Sequence, residues 1–139
     1  MKNSSLSALF LLTVAAVAGC RALPEPVCQS RLLVPAVRAV GPRRAAVNQA
    51  VTYQLGVKLG NSCGVLDTIL VNSIDDPTGV AVPVRQVGVR GKYDGCSCTT
   101  DTLTITPVSF QFKPIKAGTY YLRFLSRQST FITDTLTVQ

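Results

Sequence analysis

The sequence predicts an all-β fold, an antiparallel sandwich of about seven strands. Apolar and polar residues alternate with a period of two along several segments, and turn-forming residues recur about every 8–12 positions. No segment long enough to form a helix shows the 3.6-residue period of an amphipathic helix. With 139 residues the chain is short enough for one domain. We expect that domain over residues 30–139, behind a removable leader (1–19) and a tether (20–29).

The clearest strand of the first half is VTYQLGVKL (51–59), in which every odd-numbered residue is apolar, as in a half-buried strand. Before it, RLLVPAVRAV (31–40) contains Pro35, and proline is typical of edge strands because it has no N–H to donate. After it, GNSCG (60–64) predicts a turn, and LDTILVNSI (66–74) predicts a more fully buried strand.

The middle of the chain carries two further turn signals. DDPTG (75–79) predicts a turn, and the apolar parity slips by one within residues 80–90, which predicts a bulge or a strand break between positions 84 and 87. KYDGCSCTTDTLTIT (92–106) combines a tight turn at Asp94-Gly95 with a threonine-rich strand.

The last third alternates most regularly, in VSFQFKP (108–114), AGTYYLRFL (117–125) and FITDTLTV (131–138). This parity assigns most aromatic residues to the core. The inward set is Tyr53, Phe110, Phe112, Tyr120 and Phe124. Tyr93, Tyr121 and Phe131 are left as surface aromatics, which are too few to predict a glycan site.

The segment KAGTYYL (116–122) resembles the entry into strand F of immunoglobulin-like domains. By that resemblance Tyr120 would be the tyrosine-corner residue, whose hydroxyl bonds back to upstream backbone. The segment departs from the family because Leu122 stands at the position of the inter-sheet cysteine, Lys116 replaces the usual acid, and the chain has no tryptophan. The resemblance therefore implies an Ig-like sandwich in the loose sense.

The apolar run from Leu6 to Gly19 is too short to cross a bilayer, which takes about 20 residues. Its end, VAGC (17–20), resembles the lipobox of bacterial lipoproteins. That resemblance implies cleavage before Cys20 and a lipid on its sulfur. It also implies a location at the outer membrane, because Arg21 stands where lipoproteins retained in the inner membrane have an aspartate. The alternative is an ordinary secretory signal with AVA (16–18) as its cleavage site.

Four cysteines remain: Cys28, Cys63, Cys96 and Cys98. An even number in an exported chain predicts disulfides. Two cysteines at i and i+2 of one strand lie about 6.6–6.8 Å apart, near the limit for a bridge, so Cys96 and Cys98 are expected to pair with Cys28 and Cys63, in an order that stays open. The competing interpretation is a thiol site for Cu(I) or a redox dithiol built on Cys63, Cys96 and Cys98.

The composition argues against most catalytic sites. Histidine is absent, which removes His-dependent nucleophiles and the commonest metal ligand, and only seven carboxylates are present. An enzyme would need a cleft that gathers Asp67, Asp75, Asp76 or Asp94, and we expect no enzyme, no metal and no cofactor. The net charge of +7 favours polyanions or anionic lipid, but its basic residues are dispersed, and export removes nucleic acid as a partner.

The expected function is therefore a non-catalytic structural or binding module of the cell envelope. Its expected partners are the bilayer, through acylated Cys20, and an envelope protein or polyanion. The alternative is thiol-based metal binding or redox chemistry at the CSC segment (96–98).

Overall fold

The computed structural model describes residues 28–74, 84–101 and 103–139. All regular structure in these ranges is β-strand, which confirms the all-β prediction. Three of the eleven strands have two residues each. The strands are β1 (Gln29–Val34), β2 (Ala36–Val40), β3 (Arg44–Ala45), β4 (Val51–Val57), β5 (Gly60–Asn61), β6 (Gly64–Ile74), β7 (Val84–Asp94), β8 (Thr100–Asp101), β9 (Thr106–Phe112), β10 (Gly118–Arg127) and β11 (Thr130–Val138).

The strands form a six-stranded sheet, a three-stranded sheet and the short β5–β8 pair. The three-stranded sheet has the order β2-β4-β9 and is antiparallel throughout. In the six-stranded sheet, β10 pairs with β7 and β11 pairs with β3 in parallel, while the other pairs are antiparallel. The sandwich therefore includes parallel pairs that the sequence did not indicate.

Strand β7 organises the larger sheet because it has three neighbours. One side is paired along its whole length with β6. On the other side, β10 pairs with residues 84–87 and β1 pairs with residues 89–94. β1 and β10 thus lie end to end on one side of β7 and meet opposite Gly88, whereas β6, on the other side of β7, is the outermost of the described strands there.

Pro35 divides the segment that the sequence predicted as one edge strand. β1, before it, joins the six-stranded sheet, and β2, after it, joins the three-stranded sheet. Since proline has no N–H, it cannot continue a ladder, and its carbonyl accepts a hydrogen bond from Lys58 N at 3.2 Å instead. Each half pairs with one other strand, as expected of an edge.

The core lies between the two sheets and follows the predicted parity. The residues of β4 that alternate inward are buried: Val51, Tyr53, Leu55 and Val57. Tyr53 contacts Phe124 of the facing sheet with ring centroids 5.6 Å apart, and Phe110 meets Phe124 edge to face at 6.1 Å. Of the five aromatic residues predicted inward, four are buried and Phe112 is partly buried against Tyr120.

Three predictions in the middle of the chain were wrong. The predicted bulge or break between positions 84 and 87 is absent from β7, because Val84 lies on one face of the strand and Val87 on the other. Most of the threonine-rich stretch after Gly95 is irregular, with only the two-residue β8 before β9 begins at Thr106. Tyr93, expected at the surface, is buried, because its face of β7 is covered by residues around Leu59. The expected turn at 75–79 lies outside the described residues.

The largest difference concerns β6. The sequence predicted a more fully buried strand over 66–74, whereas most of β6 is exposed. It is an edge strand, and of its apolar residues only Ile69 packs against the described core. An apolar run has the same pattern in both situations, so the sequence could not separate them.

Candidate functional site

The two disulfides close one end of the sandwich. Cys28 is bonded to Cys96 and Cys63 to Cys98, with Cα–Cα distances of 5.0 and 5.5 Å. This selects one of the two pairings that the sequence left open and confirms that CSC does not pair internally. Gly95, between the two bonds, has a φ of +136°, and a Cβ there would lie 3.0 Å from the Cys63 sulfur, so the position requires glycine.

Hydrogen bonds tie the same end together. Gly95 N donates to Cys28 O at 3.0 Å, and Ser62 N donates to Thr99 O at 2.9 Å. The hydroxyl of Tyr93 donates to Leu59 O at 2.6 Å. All four sulfurs are already in S–S bonds, so a thiolate site would exist only after reduction. Within the described ranges, no group of three or more Cys, Asp or Glu side chains is placed to hold a metal ion.

The carboxylates that an enzyme would need are engaged in separate contacts. Asp67 accepts a hydrogen bond from Arg90 Nε at 2.8 Å and lies 3.5 Å from Arg31 Nε. Asp94 lies 3.6 Å from Lys92 Nζ and accepts from Gln29 Nε2 at 3.2 Å. Asp75 and Asp76 lie outside the described residues.

A further carboxylate, Asp101, fixes the loop after β8. It accepts hydrogen bonds from the backbone N–H groups of Leu103 and Thr104, both at 3.0 Å. Hydrogen bonds from the Thr104 side chain and from these two N–H groups lower the pKa of Asp101. This is the arrangement of an aspartate that caps its own turn.

Besides Tyr93, two further tyrosine hydroxyls form hydrogen bonds with upstream backbone. Tyr120 donates to Lys116 O at 3.0 Å and accepts from Lys116 N at 3.3 Å. Tyr53, placed in the core by the sequence, also donates to Pro42 O at 3.0 Å, a contact that strand parity could not reveal. Burial, with a smaller contribution from Asp134, raises the pKa of Tyr53 to about 12.

The free edge of β6 is the most distinctive surface of the described chain. β6 has eleven residues and, among the described strands, pairs only with β7. Five of its apolar side chains are exposed, on both faces of the sheet: Val65 (57%), Leu66 (40%), Leu70 (39%), Val71 (46%) and Ile74 (40%). An edge of this kind presents backbone N–H and C=O groups that a further strand can pair with.

The other edge strands of the described sheets carry features that oppose pairing. β1 contains Arg31 and ends before Pro35, and β2 contains Arg38 and follows Pro35. β9 contains Pro107, and β3 has only two residues, of which one is Arg44. β11, which β3 covers over only two residues, contains Asp134. Charged residues, prolines and short length are the usual protections of a sheet edge. β6 has no lysine, arginine or proline, and Asp67, its single charged residue, occupies the bulge between Leu66 and Thr68.

A shallow apolar groove lies on the outer face of the six-stranded sheet, beside the β6 edge. It forms where β1 and β10 meet end to end, and its volume is about 220 Å³. Gly88 forms part of its lining, and a Cβ there would lie 3.2 Å from the Leu33 side chain. Its apolar lining also includes Leu70, Leu125 and Phe131. Because Leu70 belongs to β6, the groove and the edge are contiguous.

Comparison with known proteins adds no assignment. No match to this chain was found among protein-family models, curated proteins or solved structures. Residues 28–74, 84–101 and 103–139 contain no helix with the length and apolar character needed to span a bilayer. Cys20 lies outside these ranges, so its predicted lipidation remains a prediction.

Proposed function

We propose that the protein is a lipid-anchored lipoprotein of the cell envelope whose β domain is a non-catalytic binding module that uses the β6 edge. The observation that carries this proposal is the exposed and largely apolar edge of β6, whose single charged residue is Asp67, in contrast to the protected edges of β1, β2, β3 and β9. Its partners in this role are the bilayer, through Cys20, and a second envelope component bound at the edge.

Two features support the extracytoplasmic address. The lipobox-like VAGC segment (17–20) supplies an anchoring cysteine, and the two disulfides are compatible with an oxidising compartment. Arg21, which follows Cys20, favours the outer membrane in a two-membrane cell. The net charge of +7 leaves a polyanion as a further partner class, although its cations are dispersed.

The domain is proposed to be Ig-like in the loose sense. Two facing sheets, the change of sheet at Pro35 and the Tyr120 hydrogen bond to Lys116 support this assignment. The parallel β7–β10 and β3–β11 pairs depart from a purely antiparallel arrangement. No observation favours the thiol alternative, because Cu(I) would require free thiolates.

Binding at such an edge would proceed by strand addition. The partner's backbone pairs with the free N–H and C=O groups of β6, while its side chains contact the exposed apolar residues on alternate faces. Leu70, at the border of the groove, would contact partner side chains on the outer face. This mode needs neither a catalytic group nor a metal.

Site-specific photocrosslinking in intact cells tests the proposal. A photoreactive residue at Leu70 is expected to give covalent protein adducts in the membrane fraction, whereas the same residue at exposed Thr135 of β11 should give none. Mass spectrometry of the same preparation should find a diacylglycerol-modified Cys20 at the amino terminus. Absence of adducts from Leu70, or an unmodified terminus, would contradict the binding role or the address, respectively.

A further inference from the structure

We propose that one end of the sandwich binds the surface of an anionic lipid bilayer. This end, which we call the basic end, consists of residues 41–50, between β2 and β4, and residues 113–117, between β9 and β10. It carries four basic residues and two exposed aliphatic side chains. The inference gives the anionic partner class a place in the fold, and it depends neither on the β6 edge nor on a lipid at Cys20.

The basic end lies opposite the disulfides. Gly95, which directly follows β7, sits between the two S–S bonds, so the carboxyl end of β7 marks the disulfide end. β10 pairs with β7 in parallel, and its first residue, Gly118, therefore lies at the other end of the sheet. Residues 113–117 lead directly into Gly118.

Hydrogen bonds join the two segments into one surface. Asn48 N donates to Pro114 O at 2.8 Å, which connects the first segment to the second. The hydroxyls of two buried tyrosines, Tyr53 and Tyr120, bond to backbone groups of the first and the second segment, respectively. The side chains of the basic end are therefore presented from a backbone of defined shape.

Basic residues that are distant in the sequence meet at this end. All are exposed, two in each segment: Arg43, Arg44, Lys113 and Lys116. Neither segment contains Asp or Glu, and the ion pairs of the described residues are formed elsewhere, by Asp67 and Asp94. Asp134, the one carboxylate of β11, lies opposite Leu122 of β10 and outside both segments. The fold thus concentrates positive charge at one end, and such a patch attracts anionic surfaces.

Two aliphatic side chains are exposed among these charges, Ile115 at 68% and Val47 at 37%. The hydrogen bond from Asn48 to Pro114 joins the peptide unit after Val47 to the one before Ile115, so the two residues are neighbours. Proteins that lie on a membrane combine burial of apolar side chains with attraction between cations and anionic headgroups. A soluble polyanion would use the cations but would leave Ile115 in water. The combination therefore favours a bilayer as the partner.

The test uses residues 20–139 with Cys20→Ser, which cannot carry a lipid anchor, with both disulfides formed. Phosphatidylcholine vesicles that contain phosphatidylglycerol should co-sediment with the protein, whereas vesicles of phosphatidylcholine alone should bind little of it. Because salt screens exposed charges, the bound fraction should fall as the ionic strength is raised. Failure to bind the anionic vesicles, or equal binding to both kinds, would overturn the proposal.

A charge-removing variant locates the contact. Lys113→Gln combined with Lys116→Gln should weaken binding to the anionic vesicles about 25-fold, since each basic residue near such a surface contributes a factor of roughly five. Only side chains change, so the backbone bonds to the Tyr120 hydroxyl are kept. The matched control, Arg38→Gln combined with Arg127→Gln, removes the same charge from exposed positions outside the basic end and should weaken binding far less. Equal losses from the two pairs would mean that net charge alone is responsible, which would refute the basic end as the contact.

An apolar variant tests the choice of a bilayer. Ile115→Asn should weaken binding to the anionic vesicles about 10-fold, because the aliphatic side chain no longer leaves water on binding. The matched control is Leu103→Asn, between β8 and β9, which is more exposed, at 87% against 68%, and should leave binding unchanged. Thermal unfolding followed by circular dichroism should give the wild-type Tm for both variants, since both side chains are exposed.

The outcomes separate a bilayer from a soluble polyanion. If Ile115→Asn had no effect and linear polyphosphate displaced the protein from the vesicles completely, the partner would be a soluble polyanion and the bilayer would be refuted. The protein in this assay carries no lipid, and the variants lie outside β6. Lipid analysis at Cys20 and crosslinking from Leu70 therefore test the proposed function independently of this inference.

Discussion

Replacing Cys63 and Cys98 together with alanine is expected to lower the free energy of unfolding by about 4 kcal/mol. The bond closes a loop with a sequence separation of 35, and the chain-entropy relation for a loop of that size gives about 3.8 kcal/mol at 25 °C. The double replacement leaves the other bond paired and creates no free thiol. In a domain of this size the change corresponds to a fall in Tm of about 15 °C.

The matched variant is the alanine replacement of Cys28 and Cys96. Since Cys63–Cys98 stays bonded in this variant, the shortest path between Cys28 and Cys96 crosses that bond and contains about 37 residues, so the same relation predicts nearly the same loss. Urea denaturation followed by far-UV circular dichroism would measure both, since the chain has no tryptophan to report unfolding. The first pair also holds the segments that cover Tyr93. If its loss exceeded that of the second pair by more than about 1 kcal/mol, folded-state contacts rather than chain entropy would dominate, and the reasoning would be refuted.

Three further outcomes are expected. The pKa of Tyr53 is about 12 in the folded protein and about 10 when unfolded, so the free energy of unfolding should fall by about 2–3 kcal/mol as the pH rises from 10 to 12. Denaturation at a series of pH values should find a smaller fall for Tyr53→Phe than for the wild type. Gly41→Ala should cost about 2 kcal/mol in the same assay, because its methyl would overlap the Tyr53 ring, and wild-type stability would contradict this packing. Cys20→Ser should release the protein from membranes, and continued co-sedimentation would count against the lipid anchor.

The parts of the fold that the sequence predicted are those in which side-chain parity and burial coincide. Tyr53, Leu122 and Phe124 alternate with less buried neighbours on strands that have one covered face, so a period of two identifies their inward side. The bridges were predictable as a class, because an even number of cysteines and the geometry of CSC left few pairings. The actual pairing of the cysteines depends on how the chain segments near Gly95 lie relative to one another, and no local sequence pattern determines that arrangement.

The candidate surface was harder to predict because exposure depends on neighbours distant in the sequence. LDTILVNSI (66–74) has the composition of a buried strand, and β6 is exposed only because sheet order places it outside β7. The change of sheet at Pro35 was also hidden, since a proline within an apolar run fits a continuous edge strand as well as a division between two sheets. In both cases the sequence predicts a strand but does not predict the position of that strand within the sheets.

The length of the free edge follows from the way β7 is shared. β7 has eleven residues, and neither β1 nor β10 alone spans it; the two must lie end to end to complete one side. The opposite side is completed by β6, which also has eleven residues and has no partner on its far side among the described strands. A long edge is usually protected by charge or proline. Here the nearby arginines, Arg90 on β7 and Arg31 on β1, lie outside β6 and neutralise its one carboxylate. Edge length is thus a consequence of the topology, whereas its lack of protection is a property of the β6 sequence, and it is the second of these that points to strand pairing as the function.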